Sequence, residues 1–268
     1  MRKIVLILLA GVLMLSAVEW EIEQVTDDLD RYNYEPSIIL DGENPLILFE
    51  QFDDADYDFL KLAYKDNGSW VTEEVLDFDA ALYNFAMDSE GNLYIAFTDR
   101  VGEYEENDLF LATDTSGEMV VHRLTEQAVN YRFPVIRLDE NDNVHIAYSE
   151  GEVGEFHEDW IHYGYFEEGE FRSEVVAEHM IGTYNFDFVL SSDGIPHVFY
   201  GFYTDSDGKG LMHSFRSVSA EWREEIILQH PRVVPYNPSA AIDEHGKFHV
   251  SWDLNSSYIL YATDKSGS

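Results

Sequence analysis

Five tyrosines, each followed by a residue with a polar side chain, recur along this chain at spacings of about 50 residues. Aromatic faces beside amide groups suit neutral polar ligands such as sugars, through stacking and paired hydrogen bonds. A residue that recurs in every repeat can instead be architectural, with the tyrosine packed between repeats and the asparagine capping a turn. The candidate ligand-binding pairs are Tyr32 and Asn33, Tyr83 and Asn84, Tyr131 and Arg132, Tyr184 and Asn185, and Tyr236 and Asn237.

Arg132 is the member of this series that stands where the other pairs have an asparagine. An exception inside a repeated pattern is a better functional clue than the pattern, because the architecture does not require it. A guanidinium at this position is able to bind an anionic group through two parallel hydrogen bonds, or to neutralise nearby carboxylates.

Carboxylates offer a second kind of chemistry, because glycoside hydrolysis needs two of them at a defined separation. Glu35 and Asp187 are the acids nearest the start of a predicted inner strand. No third carboxylate joins them, and the chain has neither a nucleophile elbow nor a glycine-rich phosphate loop. If the chain is an enzyme, Glu35 and Asp187 are therefore the catalytic candidates; if it is not, no residue is catalytic. The other repeats carry Met87, Val135 and Ala240 nearby.

Runs of aspartate and glutamate fill the longest predicted loops, within 50–58, 99–108, 150–159 and 205–207. Clustered oxygen ligands favour calcium, which is the metal that these loops would take. None of the runs has the spacing of a calcium-binding hand, so a solvated rim is the alternative, and no metal ligand is assigned. Asp139–Asn143 (DENDN) is interpreted as a hairpin turn because of its place in the repeat.

His145, His197 and His249 occupy one equivalent strand position in three successive repeats. Three histidines are a common zinc ligand set. These three lie on different repeats, away from the predicted channel wall, so we expect them to be too far apart to share an ion. We therefore predict that they pack in the core with a hydrogen-bonded ring nitrogen.

An internal repeat must position all of these residues. Each copy is an apolar strand, a turn rich in Asp, Gly or Asn, and a second apolar strand that ends in an aromatic residue. A further strand–turn–strand block follows each copy, so each repeat holds four short antiparallel strands, the pattern of a β-propeller blade. The copies are Pro36–Glu50, Phe85–Asp99, Pro134–Glu150, Phe188–Phe202 and Ser239–Asp253.

The last repeat lacks its fourth strand, since the chain ends just after Tyr261–Asp264. Residues 18–25 (VEWEIEQV) match the strands that follow equivalent turns elsewhere, NGSWVTEEVL and SAEWREEIIL. We therefore predict an all-β fold: a five-bladed β-propeller of four-stranded antiparallel blades in one domain, residues 18–268, whose last blade is closed by the N-terminal strand. A truncated six- or seven-bladed propeller is the alternative.

The first residues resemble a secretory signal peptide. Arg2 and Lys3 precede an apolar run, Ile4–Leu15, which is short for a membrane span. We assign residues 1–17 to this signal and expect a secreted or periplasmic protein, with an uncleaved membrane anchor as the alternative. The sequence contains no cysteine, so the exported chain would have no disulfide.

The chain is strongly acidic, with 53 Asp and Glu against 16 Lys and Arg and a formal net charge of -37. Such a surface repels nucleic acid and anionic lipid. The remaining classes of partner are neutral or cationic. Of these, a glycan or an envelope protein is compatible with an exported propeller. No membrane span is predicted outside the signal segment.

The turn Asp66–Trp70 (DNGSW), with the weaker TDTSG and TDKSG at 113–117 and 263–267, resembles the Asp-box (BNR) repeat of sialidase-like propellers. The resemblance covers all five repeats in degenerate form and implies the propeller fold. It also implies a sialidase site of three arginines with a Tyr–Glu pair. In Tyr131–Pro134 (YRFP) only Arg132 matches an Arg-x-Pro element of such a site, and the other two arginines have no counterpart.

Taken together, these patterns favour an exported, non-catalytic β-propeller binding module for carbohydrate or another envelope ligand. Binding would use the loop face around the central channel. The alternatives are a sialidase-like or furanosidase-like glycoside hydrolase, and a structural propeller for protein assembly. No cofactor other than calcium is expected.

Overall fold

Strands make up all of the regular structure among the described residues of this chain. The computed structural model describes residues 21–27, 31–52, 58–76, 82–101, 107–126, 129–151, 159–180, 186–204, 208–217, 219–230, 235–254 and 258–265. These ranges contain 19 strands and no helix. It follows that the described residues include no helix of a length and hydropathy that could cross a membrane.

The strands form five successive antiparallel units, numbered here along the chain. Each strand pairs with the next one, so every unit is a meander. Unit 1 contains β1 (Tyr32–Asp41), β2 (Asn44–Phe52), β3 (Asp58–Asp66) and β4 (Ser69–Leu76). Unit 2 contains β5 (Leu82–Met87), β6 (Leu93–Arg100), β7 (Asn107–Thr113) and β8 (Val120–Arg123).

The remaining units follow the same order, and the last has three strands among the described residues. Unit 3 contains β9 (Asn130–Leu138), β10 (Val144–Gly151), β11 (Asp159–Glu167) and β12 (Glu170–Met180). Unit 4 contains β13 (Phe186–Leu190), β14 (Pro196–Thr204), β15 (Gly208–Arg216) and β16 (Trp222–His230). Unit 5 contains β17 (Pro235–Ile242), β18 (Phe248–Leu254) and β19 (Tyr258–Thr263).

Units 2 and 3 are also joined to one another, so they form one eight-stranded sheet. The link is a single parallel bridge between Asn107 and Asn130, whose side chains hydrogen-bond at 2.9 Å. Because only one residue pair bridges them, the two units meet at one point along their edges and remain separate four-stranded sheets.

In units 2, 3 and 5, the turn between the first and second strands is built around one carboxylate. The Asp139 carboxylate accepts hydrogen bonds from the backbone N–H groups of Asn141 and Asn143, at 2.8 and 2.9 Å. Asp142 has a φ of 61°, a conformation that asparagine and aspartate tolerate. Asp88 and Asp243 hold their own hairpins in the same way. The interpretation of DENDN as a hairpin turn is therefore confirmed.

Among the described residues, the hydrophobic core consists of four clusters, one between each pair of consecutive units. Leu48 and Phe85, for example, lie in the cluster that joins units 1 and 2, and Phe199 and Trp252 in the one that joins units 4 and 5. Full burial of one such side chain contributes about 1.5–3 kcal/mol. The units therefore pack face to face in chain order, as propeller blades do.

The N-terminal segment differs from its prediction. Residues 21–27 form no strand, and the Glu23 carboxylate accepts hydrogen bonds from Lys65 Nζ at 2.6 Å and from the Trp70 indole at 2.8 Å. The described part of the segment therefore contacts the β3–β4 hairpin of unit 1 and not β19. Trp20, on which the match partly rested, lies outside the described residues, so closure of the last blade by this strand is not confirmed.

Two apolar sheet faces stay uncovered at the ends of the array. On β1, Ile38 and Leu40 are 61% and 62% exposed, and on β19, Ile259 and Tyr261 are 77% and 60% exposed. Within the described ranges, no core cluster joins unit 5 back to unit 1.

Candidate active site

The first strands of units 1 to 4 meet around one cavity of about 400 Å³. Contacts between β1 and β5, β5 and β9, and β9 and β13 place these strands side by side. The wall carries one carboxylate, one phenol and one amide among apolar and aromatic side chains. A sugar-sized ligand is bound by such a mixture, with apolar area for burial and few polar groups for orientation. The residues that matter below are Glu35, Tyr83, Asn84, Phe133 and Phe186.

Glu35 sits on a backbone bulge. Its φ is 47°, and the register of β1 shifts between Tyr34 and Ser37. A residue before proline avoids the right-handed helical region, and Pro36 follows here. Phe133 and Asn237 have φ values of 52° and 48°, and each of them also precedes a proline. A repeated X-Pro element therefore builds the same bulge in three units, and in unit 1 it carries a carboxylate.

Tyr83 ties the second unit to this bulge. Its hydroxyl donates a hydrogen bond to the backbone carbonyl of Glu35. Burial raises the pKa of the Tyr83 hydroxyl well above its usual value, and the nearby carboxylates of Glu50 and Glu35 raise it further. The phenol therefore stays protonated and acts as a hydrogen-bond donor.

A polar network that includes the wall residue Asn84 links four first strands; Asp187 belongs to this network and adjoins the wall residue Phe186, but it is not itself in the cavity wall. Asn84 Oδ1 accepts hydrogen bonds from the Ile136 N–H at 3.1 Å and from Arg137 Nη1 at 3.3 Å. Arg137 Nη2 lies 3.6 Å from Asp187 Oδ1. Asp187 Oδ2 in turn accepts from the Ala240 N–H at 2.8 Å.

Burial dominates the electrostatics of this network. It raises the pKa of Asp187, opposed by the Ala240 N–H, Arg137 and the Phe188 N–H. Burial also lowers the pKa of Arg137, and the charge of Asp187 opposes that shift. The Asp187 side chain is 17% exposed, so it keeps limited access to solvent. Its environment favours the protonated acid more than that of an exposed carboxylate does.

The tyrosine pairs occupy unlike environments. Tyr32, Asn33, Tyr236 and Asn237 are exposed, whereas Tyr131 is only 3% exposed and packs in the core between units 2 and 3. Tyr83 and Asn84 belong to the cavity wall described above. Tyr184 and Asn185 lie outside the described residues. Because its ring is buried, Tyr131 offers no face on which a ligand could stack. Ligand binding by the exposed pairs stays a prediction.

Arg132 is half-buried on β9. Its backbone carbonyl accepts a hydrogen bond from Ser149 Oγ at 3.2 Å, and its buried Nε makes no hydrogen bond to the described residues. Its role in binding an anionic group stays a prediction.

The three equivalent histidines each contact the third strand of their own unit. His145 Nδ1 lies 2.5 Å from the Tyr163 hydroxyl, His197 Nδ1 2.9 Å from His213 Nε2, and His249 Nδ1 2.6 Å from the Tyr261 hydroxyl. The predicted hydrogen bond to a ring nitrogen is confirmed for all three, but only His197 is buried, and the His249 side chain is 35% exposed. Most of the acidic loops fall outside the described residues, so the calcium expectation stays a prediction.

Arg137 is the site residue that the sequence reasoning missed. The available signal was a charged residue inside an otherwise apolar strand, in the tripeptide Ile136-Arg137-Leu138. Buried cations are rare unless paired, so this one implied a partner such as Asp187.

Comparison with known proteins identifies a fold. No family model and no curated protein sequence matches the chain. A thermostable family-43 glycoside hydrolase is similar over 89% of this chain and 92% of its own, with a TM-score of 0.52 and 11% identity. The endo-arabinase from Bacteroides thetaiotaomicron matches over 87% and 95%, with a TM-score of 0.51 and 12% identity. A PL25 ulvan lyase matches over 85% of this chain and 68% of its own, with a TM-score of 0.51 and 12% identity.

These likenesses show an all-β, propeller-type fold of antiparallel sheets. They contradict the prediction of a non-catalytic binding module, because the named neighbours are enzymes that cleave polysaccharides. The alternative, a sialidase-like or furanosidase-like glycoside hydrolase, agrees with them better. The Asp-box resemblance is not confirmed by them.

Proposed function

We propose that this protein is a glycoside hydrolase whose active site is the cavity at the first strands of units 1 to 4. The observation that carries the proposal is the position of the Glu35 carboxylate in a cavity with aromatic walls, beside the protonated phenol of Tyr83. The fold likeness to carbohydrate-active enzymes supports it.

Glycoside hydrolysis needs an acid for the leaving oxygen and a base for the attacking water. Asp187 is the proposed acid, because burial raises its pKa. Glu35 is the proposed base, which takes a proton from water as that water attacks the anomeric carbon. The phenol of Tyr83 and the amide of Asn84 would orient sugar hydroxyls.

Charge favours a hydrolase of neutral polysaccharide over a lyase. A lyase eliminates across a uronate ring, whose carboxylate has to be neutralised by cations in the site. The chain has a formal net charge of -37, and Arg137 is part of the network with Asn84 and Asp187 and is not in the cavity wall. An anionic polymer would be repelled over long range.

We also propose a five-bladed ring for the fold and export for the location. Packing of the uncovered face of β19 on that of β1 would bury Ile38, Leu40, Ile259 and Tyr261. A polysaccharide is too large to enter a cell intact, so export through the signal-like residues 1–17 agrees with a polymer substrate.

The test is release of reducing ends by the full chain from neutral polymers such as arabinan and xylan, with ulvan as an anionic comparison. Glu35→Gln and Asp187→Asn are expected to lose about 10²–10⁴-fold in rate. The matched control is Glu43→Gln, an exposed acid in the turn of the same unit, which keeps full activity. Cleavage of no neutral polymer, or a Glu35→Gln variant as active as the control, would overturn the proposal.

A further inference from the structure

A second cavity, of about 340 Å³, lies between the end of unit 2 and the outer strands of unit 3. It is separate from the central site, because its walls come from residues 124–126 and from β9 to β12. Three of the side chains in its wall are Glu150, His162 and Ser173, from three different strands. A carboxylate, an imidazole and a hydroxyl are the components of nucleophilic acyl transfer.

The three side chains form a chain of contacts. Ser173 Oγ lies 3.5 Å from His162 Nδ1, and His162 Nε2 lies 2.9 Å from Glu150 Oε2. The contact between serine and histidine is at the long end for a hydrogen bond, as is common in ligand-free sites, where such bonds tighten on substrate binding. Glu150 places a negative charge beside Nε2, which would stabilise the imidazolium that forms when Nδ1 accepts the serine proton.

Tyr148 completes the arrangement. Its hydroxyl lies 2.6 Å from Ser173 Oγ, and its ring stacks on His162 with centroids 5.2 Å apart and an interplanar angle of 9°. Burial raises the pKa of Tyr148 to about 12, although the hydrogen bond with Ser173 opposes the shift. The hydroxyl therefore remains a proton donor at neutral pH.

The fold does not require a histidine at this position. His162 stands opposite Tyr148 in the β10–β11 register. The corresponding aromatic residues Phe97, Tyr200 and Trp252 stand opposite Phe110, Met212 and Leu260. Three other units therefore fill this position with an apolar side chain, and unit 1 places Lys61 there, opposite Phe49.

Unit 4 shows what the hydroxyl network looks like as a structural element. The Tyr200 hydroxyl lies 2.9 Å from Ser214 Oγ and 2.9 Å from Glu224 Oε1. Ser214 is fully buried, and the neighbouring His213 contacts His197 and Glu225. In unit 3, by contrast, Ser173 is exposed to the cavity and contacts a base.

We propose that Ser173, His162 and Glu150 form a second catalytic site, which hydrolyses carboxylic esters of small acyl groups. Ser173 Oγ attacks the ester carbonyl carbon as its proton passes to His162 Nδ1, and the Tyr148 hydroxyl donates to the oxyanion. His162 then returns the proton to the departing alcohol, which leaves an acyl-serine. Water repeats the sequence and releases the carboxylic acid.

The cavity suits a neutral acyl ester. Leu124, Phe171 and Val175 supply apolar wall for the acyl group, and Glu126 and Glu150 would repel an anionic one. The volume of about 340 Å³ accommodates a short acyl chain with part of its alcohol.

The experiment measures hydrolysis of p-nitrophenyl acetate and butyrate by the full chain, and labelling by a fluorophosphonate located by mass spectrometry. The wild type is expected to hydrolyse both esters and to carry the label on Ser173. Ser173→Ala is expected to lose the label and at least about 10³-fold in rate. His162→Met, which copies the unit 4 residue, should fold with an unchanged melting temperature and lose a similar factor.

Two controls keep the result specific. Ser219→Ala removes an exposed turn serine and should leave label and rate unchanged. Glu35→Gln should also leave ester hydrolysis unchanged, which separates this site from the central one. The proposal is overturned if the wild type hydrolyses neither ester, if the label is on another residue, or if folded Ser173→Ala or His162→Met keeps the wild-type rate.

Discussion

Asp187 Oδ2 accepts a hydrogen bond from the backbone N–H of Ala240 at 2.8 Å, and so joins the first strand of unit 4 to the first strand of unit 5. Asn84 makes the equivalent bond to the Ile136 N–H, from unit 2 to unit 3, at 3.1 Å. In both cases, a side-chain oxygen of one unit accepts a hydrogen bond from a backbone N–H on the first strand of the next unit. Asp187 therefore has a positioning role in the sheet as well as the proposed role in catalysis.

Asp187→Asn should separate these two roles. The amide oxygen can still accept from the Ala240 N–H, as Asn84 does in unit 2, so the free energy of unfolding should change by less than about 1 kcal/mol. Asp187→Ala leaves that N–H unsatisfied and should cost about 1–3 kcal/mol. Both variants should lose polysaccharide hydrolysis. Urea titrations beside activity assays check this, and an active Asp187→Asn variant would speak against the acid role.

Glu35→Gly should abolish hydrolysis without loss of stability. The φ of 47° at Glu35 is unfavourable for a residue with a Cβ atom, and glycine adopts it freely. The free energy of unfolding should stay constant or rise by up to about 1 kcal/mol, because relief of strain exceeds the entropy cost of glycine. Thermal melts measure stability and reducing-end release measures activity. A marked fall in melting temperature would assign the carboxylate a structural role.

Acid should destabilise the pair His197 and His213. Burial lowers the pKa of His197 to about 3, with neighbouring His213 lowering it further, and burial also lowers the pKa of His213. The unfolded chain binds these protons near pH 6.5 and the folded chain does not. The stabilising effect of the neutral ring is therefore complete above pH 6.5. It falls by about 1.4 kcal/mol per pH unit for His197 as pH drops from about 6.5 towards about 3.

Denaturant unfolding from pH 7 to pH 4 measures this slope. His197→Gln, which keeps a polar group but no titration, should flatten it. His245→Gln, in an exposed turn, serves as the matched control and should retain the wild-type slope. Equal slopes for the two variants would contradict the assignment.

The proposed ring predicts that Ile259 becomes buried in solution. Ile259→Glu should then lower the free energy of unfolding by about 1.5–3 kcal/mol, since a charge would replace buried apolar area. Val120→Glu, on the exposed outer strand of unit 2, should change it by less than about 0.5 kcal/mol. If both variants have the wild-type melting temperature, the end faces do not pack on one another.

The strand order could be predicted from the sequence because turns and alternation are local signals. The copy Phe85–Asp99, for example, became β5 and β6 around the turn held by Asp88. The bridge from Asp187 to Ala240 and the burial of Tyr131 depend on how one unit is angled on the next. Residue spacing within a unit carries no information about that angle.

The second cavity was equally hidden from sequence reasoning. Glu150, His162 and Ser173 come from strands β10, β11 and β12, and only the register of those strands brings them into contact. The N-terminal segment failed for a related reason. Its apolar pattern is compatible with pairing to any exposed strand edge. The segment instead lies against unit 1, where Glu23 accepts hydrogen bonds from Lys65 and Trp70.

The hairpins held by Asp88, Asp139 and Asp243 bear on how the protein is made. Each is stabilised by bonds that span two to four residues, and β-hairpins form on the order of 1–10 μs. Each core cluster then joins only consecutive units, so it is able to form once two neighbouring units have been made. During synthesis, early units are thus able to assemble and shelter their apolar faces while later ones are still emerging from the ribosome.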